Sequence, residues 1–265
     1  MKISRYFSLR ILPFLTFLLL AVASGCLDDS IIDPNENSCI SSNMRSKYEK
    51  DAIRMALRLQ QNSVSANEVQ IPEALIDRML EGLIAVEKSE SLPRDTVIGR
   101  YSIHTLPYPA YDELTVEVDT VQTWVKEWIQ GNRLTGNPQI DNLMNTYGLQ
   151  MDGYFSLSVN FAVIKAPSGT PLNIAALAEK FALIEGVTGT DFEDTGGDGN
   201  NISAEDFGTS LKLTYTVGYD EVGAPNNCNG ACEFSRAWVF SVSYPNTDTE
   251  CAQAGFVQSY GDNAP

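Results

Sequence analysis

The chain has 265 residues, of which 18 are basic and 34 are acidic, and its formal charge is −16 at pH 7. This charge argues against a nucleic-acid partner, because proteins bind phosphates through Lys and Arg side chains that displace counterions. The length fits one large domain or two small ones, and a hydrophobic content of 43% is ordinary for a globular chain.

The first 25 residues have the composition of an export signal. Three basic residues precede an apolar run at residues 11–23, which is shorter than the stretch of about 20 residues that spans a bilayer. The run ends in small residues directly before Cys26. Removal of residues 1–25 would take the formal charge from −16 to −19, because they hold three basic and no acidic residues.

The segment Ala23-Ser24-Gly25-Cys26 resembles the lipobox of bacterial lipoproteins. In that family the cysteine receives diacylglycerol, the signal is cut before it, and the new amino end is acylated. The resemblance implies that residues 26–43 are a lipidated tether, held stably in a membrane by several acyl chains such as palmitate. Acidic residues directly after Cys26 are similar to the surface-export signal of Bacteroidetes-type lipoproteins, which implies the outer membrane or cell surface. The alternative is a soluble secreted protein with a chance cysteine.

Four other cysteines suggest two disulfides, because unpaired thiols are disfavoured in an oxidising compartment. Cys228 and Cys232 are separated by Asn229-Gly230-Ala231, which allows a tight turn, and we expect them to pair. Cys39 and Cys251 then pair by elimination. The alternative joins Cys232 to Cys251. Zinc is disfavoured, since no second close Cys or His pair accompanies Cys228 and Cys232.

Helical periodicity predicts a pair of helices in residues 44–92. The first apolar stripe is Tyr48, Ala52, Met55, Ala56 and Leu59. The second helix begins near Pro72 and carries the stripe Leu75, Met79, Leu80 and Leu83. We interpret residues 93–265 as an α+β domain.

Strands and helices alternate in that domain. Residues 114–118 alternate as a half-buried strand, and a helix with Trp124 and Trp128 on its apolar face follows. Two Trp one turn apart could form a ligand platform, but their continuity with aliphatic residues favours core packing. Asn137 and Pro138 open the next helix, which Gly148 ends.

The clearest unit is β-α-β. Residues 155–163 alternate as one strand, Asn173 caps a helix that ends at Gly186, and residues 187–192 form another strand. Two later strands carry Leu211, Leu213, Tyr215, Val217 and Tyr219, and Trp238, Phe240, Val242 and Tyr244. The predicted fold is α+β, with a mostly antiparallel sheet and a β-α-β unit, preceded by the helical pair.

Short motifs in residues 97–245 together resemble an uncharacterised family of secreted and lipoprotein sequences from Bacteroidetes. They include Thr135-Gly136-Asn137, Tyr147-Gly148-Leu149, Gly186-Val187, Gly197-Asp198-Gly199-Asn200 and Cys228-x-x-x-Cys232. This resemblance implies no activity. Residues 139–193 are also similar to the ferredoxin-like propeptide domain of subtilisin-type proteases, which implies a chaperone or protease inhibitor.

An acidic stretch offers a possible calcium site. No basic residue lies between Lys180 and Lys212, and the segment 194–206 partly resembles an EF-hand loop. The candidate ligands are Asp194, Asp198, Asn200, Glu205 and Asp206. The alternative is a solvated, Gly-rich hairpin connection. We expect no other cofactor.

Catalytic patterns are missing from the sequence. His104 is the only histidine and could be a general base, but no nucleophile motif or phosphate-binding Gly loop accompanies it. We therefore expect no catalytic residues and a non-catalytic lipoprotein that binds a protein or glycan partner. The alternatives are a protease inhibitor or propeptide-like chaperone, and a hydrolase with an unrecognised site.

Overall fold

The computed structural model describes residues 39–132, 134–156, 159–191, 199–220, 225, 232–246 and 250–262. The helices are α1 (Ser42–Gln61), α2 (Glu73–Lys88), α3 (Leu92–Arg94), α4 (Thr123–Ile129), α5 (Pro138–Thr146) and α6 (Ile174–Ala182), with a π-helical turn at Asp95–Arg100. The strands are β1 (Glu113–Val118), β2 (Gln150–Ser156), β3 (Asn160–Lys165), β4 (Val187–Asp191), β5 (Asn201–Asp206), β6 (Ser210–Tyr219), β7 (Phe234–Ser243) and β8 (Gln253–Gly261). None of the helices in these ranges is both long and apolar enough to span a bilayer.

The strands form two antiparallel sheets. Sheet A has the order β2-β3-β1-β4, and sheet B has the order β5-β6-β7-β8. The α+β class, with a helical pair before the sheets, is thereby confirmed.

The helical pair and sheet B share one hydrophobic core. Met79, Leu80 and Leu83 of α2 lie in the same buried cluster as Leu211 and Leu213 of β6. Gly82 lets α2 approach the sheet, because a Cβ at this position would lie 2.7 Å from the Leu211 Cδ2 atom. Helices α1 and α2 therefore pack on sheet B, which contains the last four strands of the described chain.

Sheet A has a second core against α4, α5 and α6. Strands β3 and β4 each pair antiparallel with β1, so they run parallel to each other with β1 between them. The predicted β-α-β unit is therefore present in its split form. With β1, the two helices that follow it and β2, the connectivity is the ferredoxin-like βαββαβ.

The Asn173 side chain makes hydrogen bonds both to α6 and to the connection between α1 and α2. Its Oδ1 accepts a hydrogen bond from the Ala176 N–H at 3.3 Å and so caps α6, as predicted. Its Nδ2 donates to the carbonyls of Ala66 and Glu68, at 2.8 and 3.2 Å, in the connection between α1 and α2.

The prediction of a single strand over residues 155–163 is wrong. The chain reverses there, so that Phe155 lies opposite Phe161 and Ser156 opposite Asn160. The Tyr154 hydroxyl and the Ser156 hydroxyl donate to the Asn160 Oδ1, at 2.8 and 2.9 Å. In the sequence the apolar alternation continues from residue 155 to residue 163 without Gly or Pro, and this concealed the reversal.

The sequence pattern also missed both edge strands of sheet B. Residues 201–206 were interpreted as a loop but form β5, with Ile202 buried in the core. Strand β8 is exposed along most of its length, so it lacks the alternation that marks a half-buried strand.

Candidate functional site

The only histidine is part of a hydrogen-bonded contact with α1. His104 Nδ1 lies 2.7 Å from the Asp51 Oδ2, and Asp51 is only 3% exposed. The other oxygen, Oδ1, accepts from the Thr105 N–H and the Thr105 hydroxyl, both at 2.8 Å. Sequence reasoning could not find this partner, because 53 residues separate Asp51 from His104.

Two arginines of α1 hold the chain that follows Thr105. Arg54 Nε donates to the Pro107 carbonyl at 3.0 Å, and Arg58 Nη2 donates to the Tyr108 carbonyl at 2.7 Å. Asp51, Arg54 and Arg58 lie three and four residues apart, on one side of α1. His104 therefore belongs to a set of contacts that fasten residues 104–108 along the helix, before the chain enters sheet A.

The candidate calcium ligands are only partly described. Asp194 and Asp198 lie outside the described residues, and Asn200 is buried beside the start of β5. Glu205 Oε1 accepts from the Lys212 Nζ at 2.6 Å. The Asp206 carboxylate accepts from Arg78 Nε and Nη2, both at 2.9 Å.

These ion pairs bear on the predicted calcium site, because they engage the carboxylates of two candidate ligands, Glu205 and Asp206. Burial works against ionisation of Asp206, but hydrogen bonds from Arg78 and the Gly208 N–H outweigh it and lower the pKa of this carboxyl. No group of three or more His, Cys, Asp or Glu residues suited to a metal occurs in the part of the chain that the structure describes. Residues 201–206 are an extended strand and do not curl into a loop. Calcium binding stays a prediction.

The cysteines are placed as follows. Cys39 and Cys251 form a disulfide, which is the pairing predicted by elimination. Cys232 is also disulfide-bonded, and Cys228, its predicted partner, lies outside the described residues. Cys26 and the predicted signal at residues 1–25 lie outside them too.

Trp124 and Trp128 belong to the core of sheet A, as favoured above. Both are buried, with ring centroids 5.6 Å apart. The Trp124 Nε1 donates to the Glu185 carbonyl at 3.0 Å. They do not form an exposed platform.

One face of sheet A lies outside both hydrophobic cores. Buried Leu114, Val116, Ala162 and Ile164 point toward the helices, so the alternate residues of β1 and β3 point to the other side. We call the surface made by Thr115, Glu117, Phe155, Phe161 and Val163 the open face. Phe155 is 56% exposed, although it is a large aromatic side chain. None of the apolar residues of the open face belongs to either core.

Glycines shape the open face. A Cβ at Gly153 would lie 3.3 Å from the Phe155 ring, so the missing side chain leaves room for that ring beside the strand. A Cβ at Gly189 would lie 2.8 Å from the Glu117 Oε2, so the Glu117 carboxylate extends over β4. The result is an apolar strip on β2 and β3 next to a carboxylate on β1.

Acidic residues dominate the border of the open face. Glu113 and Asp191 are exposed at the ends of β1 and β4. Lys165 is at the same end as Glu113, and its Nζ lies 2.8 Å from the Asp152 carboxylate and 3.5 Å from that of Glu113. The hydrogen bond that Lys165 donates to the Asp152 carboxylate raises the pKa of Lys165 and keeps it charged. The border therefore has more negative than positive charge.

A cleft of about 460 Å³ lies between α1 and the turn at residues 166–171. Three basic residues line it, and Arg45 among them is paired with Asp77 and Glu73 of α2. An anionic ligand would have to compete with these carboxylates for Arg45, so the cleft is a weaker candidate for a binding site than the open face.

Comparison of the chain with known protein families, with characterised proteins and with solved structures finds no match.

Proposed function

We propose that this protein is a membrane-anchored lipoprotein whose role is to bind a partner protein through the open face of sheet A. The observation that supports the proposal is an apolar strip outside both cores, in which Phe155 is exposed and Phe161 and Val163 are half-buried. Contiguous apolar surface of this kind is costly to leave in water and marks interaction sites. No catalytic step is needed to explain it.

The charges beside the strip indicate the chemistry of the partner. Glu113, Glu117 and Asp191 would meet the rim of any protein that covers the strip. Charge complementarity in the rim increases the association rate and disfavours wrong partners. The partner surface should therefore be apolar at its centre and basic at its border.

Two synthetic amphipathic helices with the same apolar face test this chemistry. One carries Lys on its polar face and the other carries Glu. In titrations followed by amide NMR shifts, we expect the Lys peptide to bind at β1, β2 and β3 and the Glu peptide to bind far more weakly. Phe155→Ser should weaken binding of the Lys peptide by about tenfold or more, because a buried aromatic contributes about 1.5–3 kcal/mol.

Leu183→Ser is the matched control, since Leu183 is 81% exposed at the end of α6, on the helical side of sheet A. It should leave binding unchanged. Equal binding of the two peptides, or binding that Phe155→Ser does not affect, would contradict the proposal. Binding of an oligosaccharide panel at the same strip would replace the protein partner by a glycan.

A protease inhibitor or propeptide-like chaperone is the second candidate function. The βαββαβ connectivity of sheet A favours it, because it extends the ferredoxin-like resemblance beyond residues 139–193 to include β1. Inhibition of a subtilisin-type protease by the intact chain, lost in Phe155→Ser, would support this candidate over a general binding role.

The anchor has its own test. In the native host, radiolabelled palmitate should be incorporated into the wild-type protein and not into Cys26→Ala, because the thiol of Cys26 is the predicted acceptor. Cys39→Ala is the control and should remain labelled. Label that persists in Cys26→Ala would show that the lipobox resemblance is misleading.

A further inference from the structure

The four edge strands of the two sheets differ in how well they are protected from pairing. Exposed edges offer unpaired backbone groups to other chains, and charges, bulges or short length normally block them. Strand β2 carries Asp152, β4 has five residues and ends in Asp191, and β5 has six residues with Glu205 and Asp206. Strand β8 has nine residues and no charged side chain.

The surface of β8 is open along most of its length. Every residue from Gly255 to Asp262 is exposed, including Val257 at 56% and Tyr260 at 55%. Among the described strands β8 pairs only with β7. A register shift against β7 falls next to Phe256, and the strand continues through it.

The backbone of β8 has hydrogen-bonding groups that point away from β7. The Asp262 N–H donates to the Ser235 carbonyl at 2.8 Å, which fixes one inward-facing amide. Amides in an antiparallel ladder alternate between the two sides. In the regular ladder from Gln258 to Tyr260 the amide of Ser259 therefore faces outward, at the edge of sheet B that no described strand covers.

We propose that two copies of this chain pair through β8 in antiparallel orientation, forming one continuous eight-stranded sheet around a two-fold axis. A two-fold interface brings the same surface of each copy together, so each residue of β8 meets β8 of the partner. Strand β8 places no charged side chain in the seam between the two copies, whereas β2, β4 and β5 would each place carboxylates there in an otherwise acidic protein. Val257 and Tyr260 supply the β-branched and aromatic side chains that favour cross-strand contacts.

The interface of the proposed dimer is formed by the β8 edge of sheet B alone. It involves no residue of the open face and holds whether or not Cys26 is lipidated. Failure of the partner-binding proposal and failure of the dimer would therefore be seen in different variants.

Charge variants of Gln258, near the centre of β8, test the pairing. The full-length protein is examined by sedimentation equilibrium in a density-matched detergent. We expect the wild type to dimerise, and Gln258→Lys and Gln258→Glu each to weaken the dimer by about threefold or more, because like charges across two strands repel. An equimolar mixture of the two variants should dimerise more strongly than either variant alone.

Ser203→Lys and Ser203→Glu place the same charges on the exposed edge strand β5 and should not change dimerisation. Ser259→Pro removes an outward amide without removing a bond to β7 and should also weaken the dimer. A wild type that stays monomeric at all accessible concentrations would overturn the proposal. A dimer that responds to Ser203 and not to Gln258 or Ser259 would also overturn it.

Discussion

Replacing Cys39 and Cys251 together by Ala is expected to lower the free energy of unfolding by about 5 kcal/mol. The disulfide joins residues separated by 212 positions, so it restricts nearly the whole unfolded chain. In the chain-entropy model this restriction grows with the logarithm of loop length. The double variant is preferred to a single one because it leaves no free thiol.

Urea unfolding followed by circular dichroism measures the loss. The control is Cys228→Ala with Cys232→Ala, whose predicted loop is very short and should contribute about 2 kcal/mol by the same reasoning. Similar losses in the two double variants would show that loop length does not determine the stabilisation.

Asp51→Ala is expected to destabilise the fold by about 3–4 kcal/mol. The buried carboxylate accepts three hydrogen bonds, and its removal would leave the buried Thr105 amide and hydroxyl without that acceptor. Orphaned buried donors carry the full cost of lost hydration, and bonds to a charged acceptor are stronger than neutral ones. The same urea experiment measures this loss.

Two matched variants separate the contributions at Asp51. Asp51→Asn keeps one oxygen that can accept from Thr105, so it should lose less stability than Asp51→Ala. His104→Ala should lose only about 1 kcal/mol, since the His104 side chain is half exposed and can be replaced by water. A larger loss in His104→Ala than in Asp51→Ala would contradict the role assigned to the buried carboxylate.

The sequence predicted best those helices and strands that have one buried face and one exposed face. Asn137 and Asn173 cap α5 and α6 at the predicted positions, and each helix buries one apolar side, with Ile140 in α5 and Phe181 in α6. Strand β6 alternates so that Leu211, Leu213 and Tyr215 are buried. In each case burial on one face imposes a period on the sequence.

The open face shows why the rest could not be predicted. Phe161 and Val163 look like core residues in the alternating pattern, yet Ala162 and Ile164 are the buried side of β3. Both sides of this strand are apolar, so only the position of the covering helices decides which one is exposed. The contact between Asp51 and His104 was also invisible, because it depends on the path of the chain in three dimensions.

The disulfide between Cys39 and Cys251 makes a closed covalent ring of most of the molecule. A protease that cuts the backbone once, anywhere between these two cysteines, opens the ring without dividing the protein into separate pieces. Both fragments stay attached to the segment that precedes Cys39. If that segment is the anchored tether, a protease that acts inside the ring would have to cut twice, or a reductant would have to act, before any part of the ring was shed from the cell.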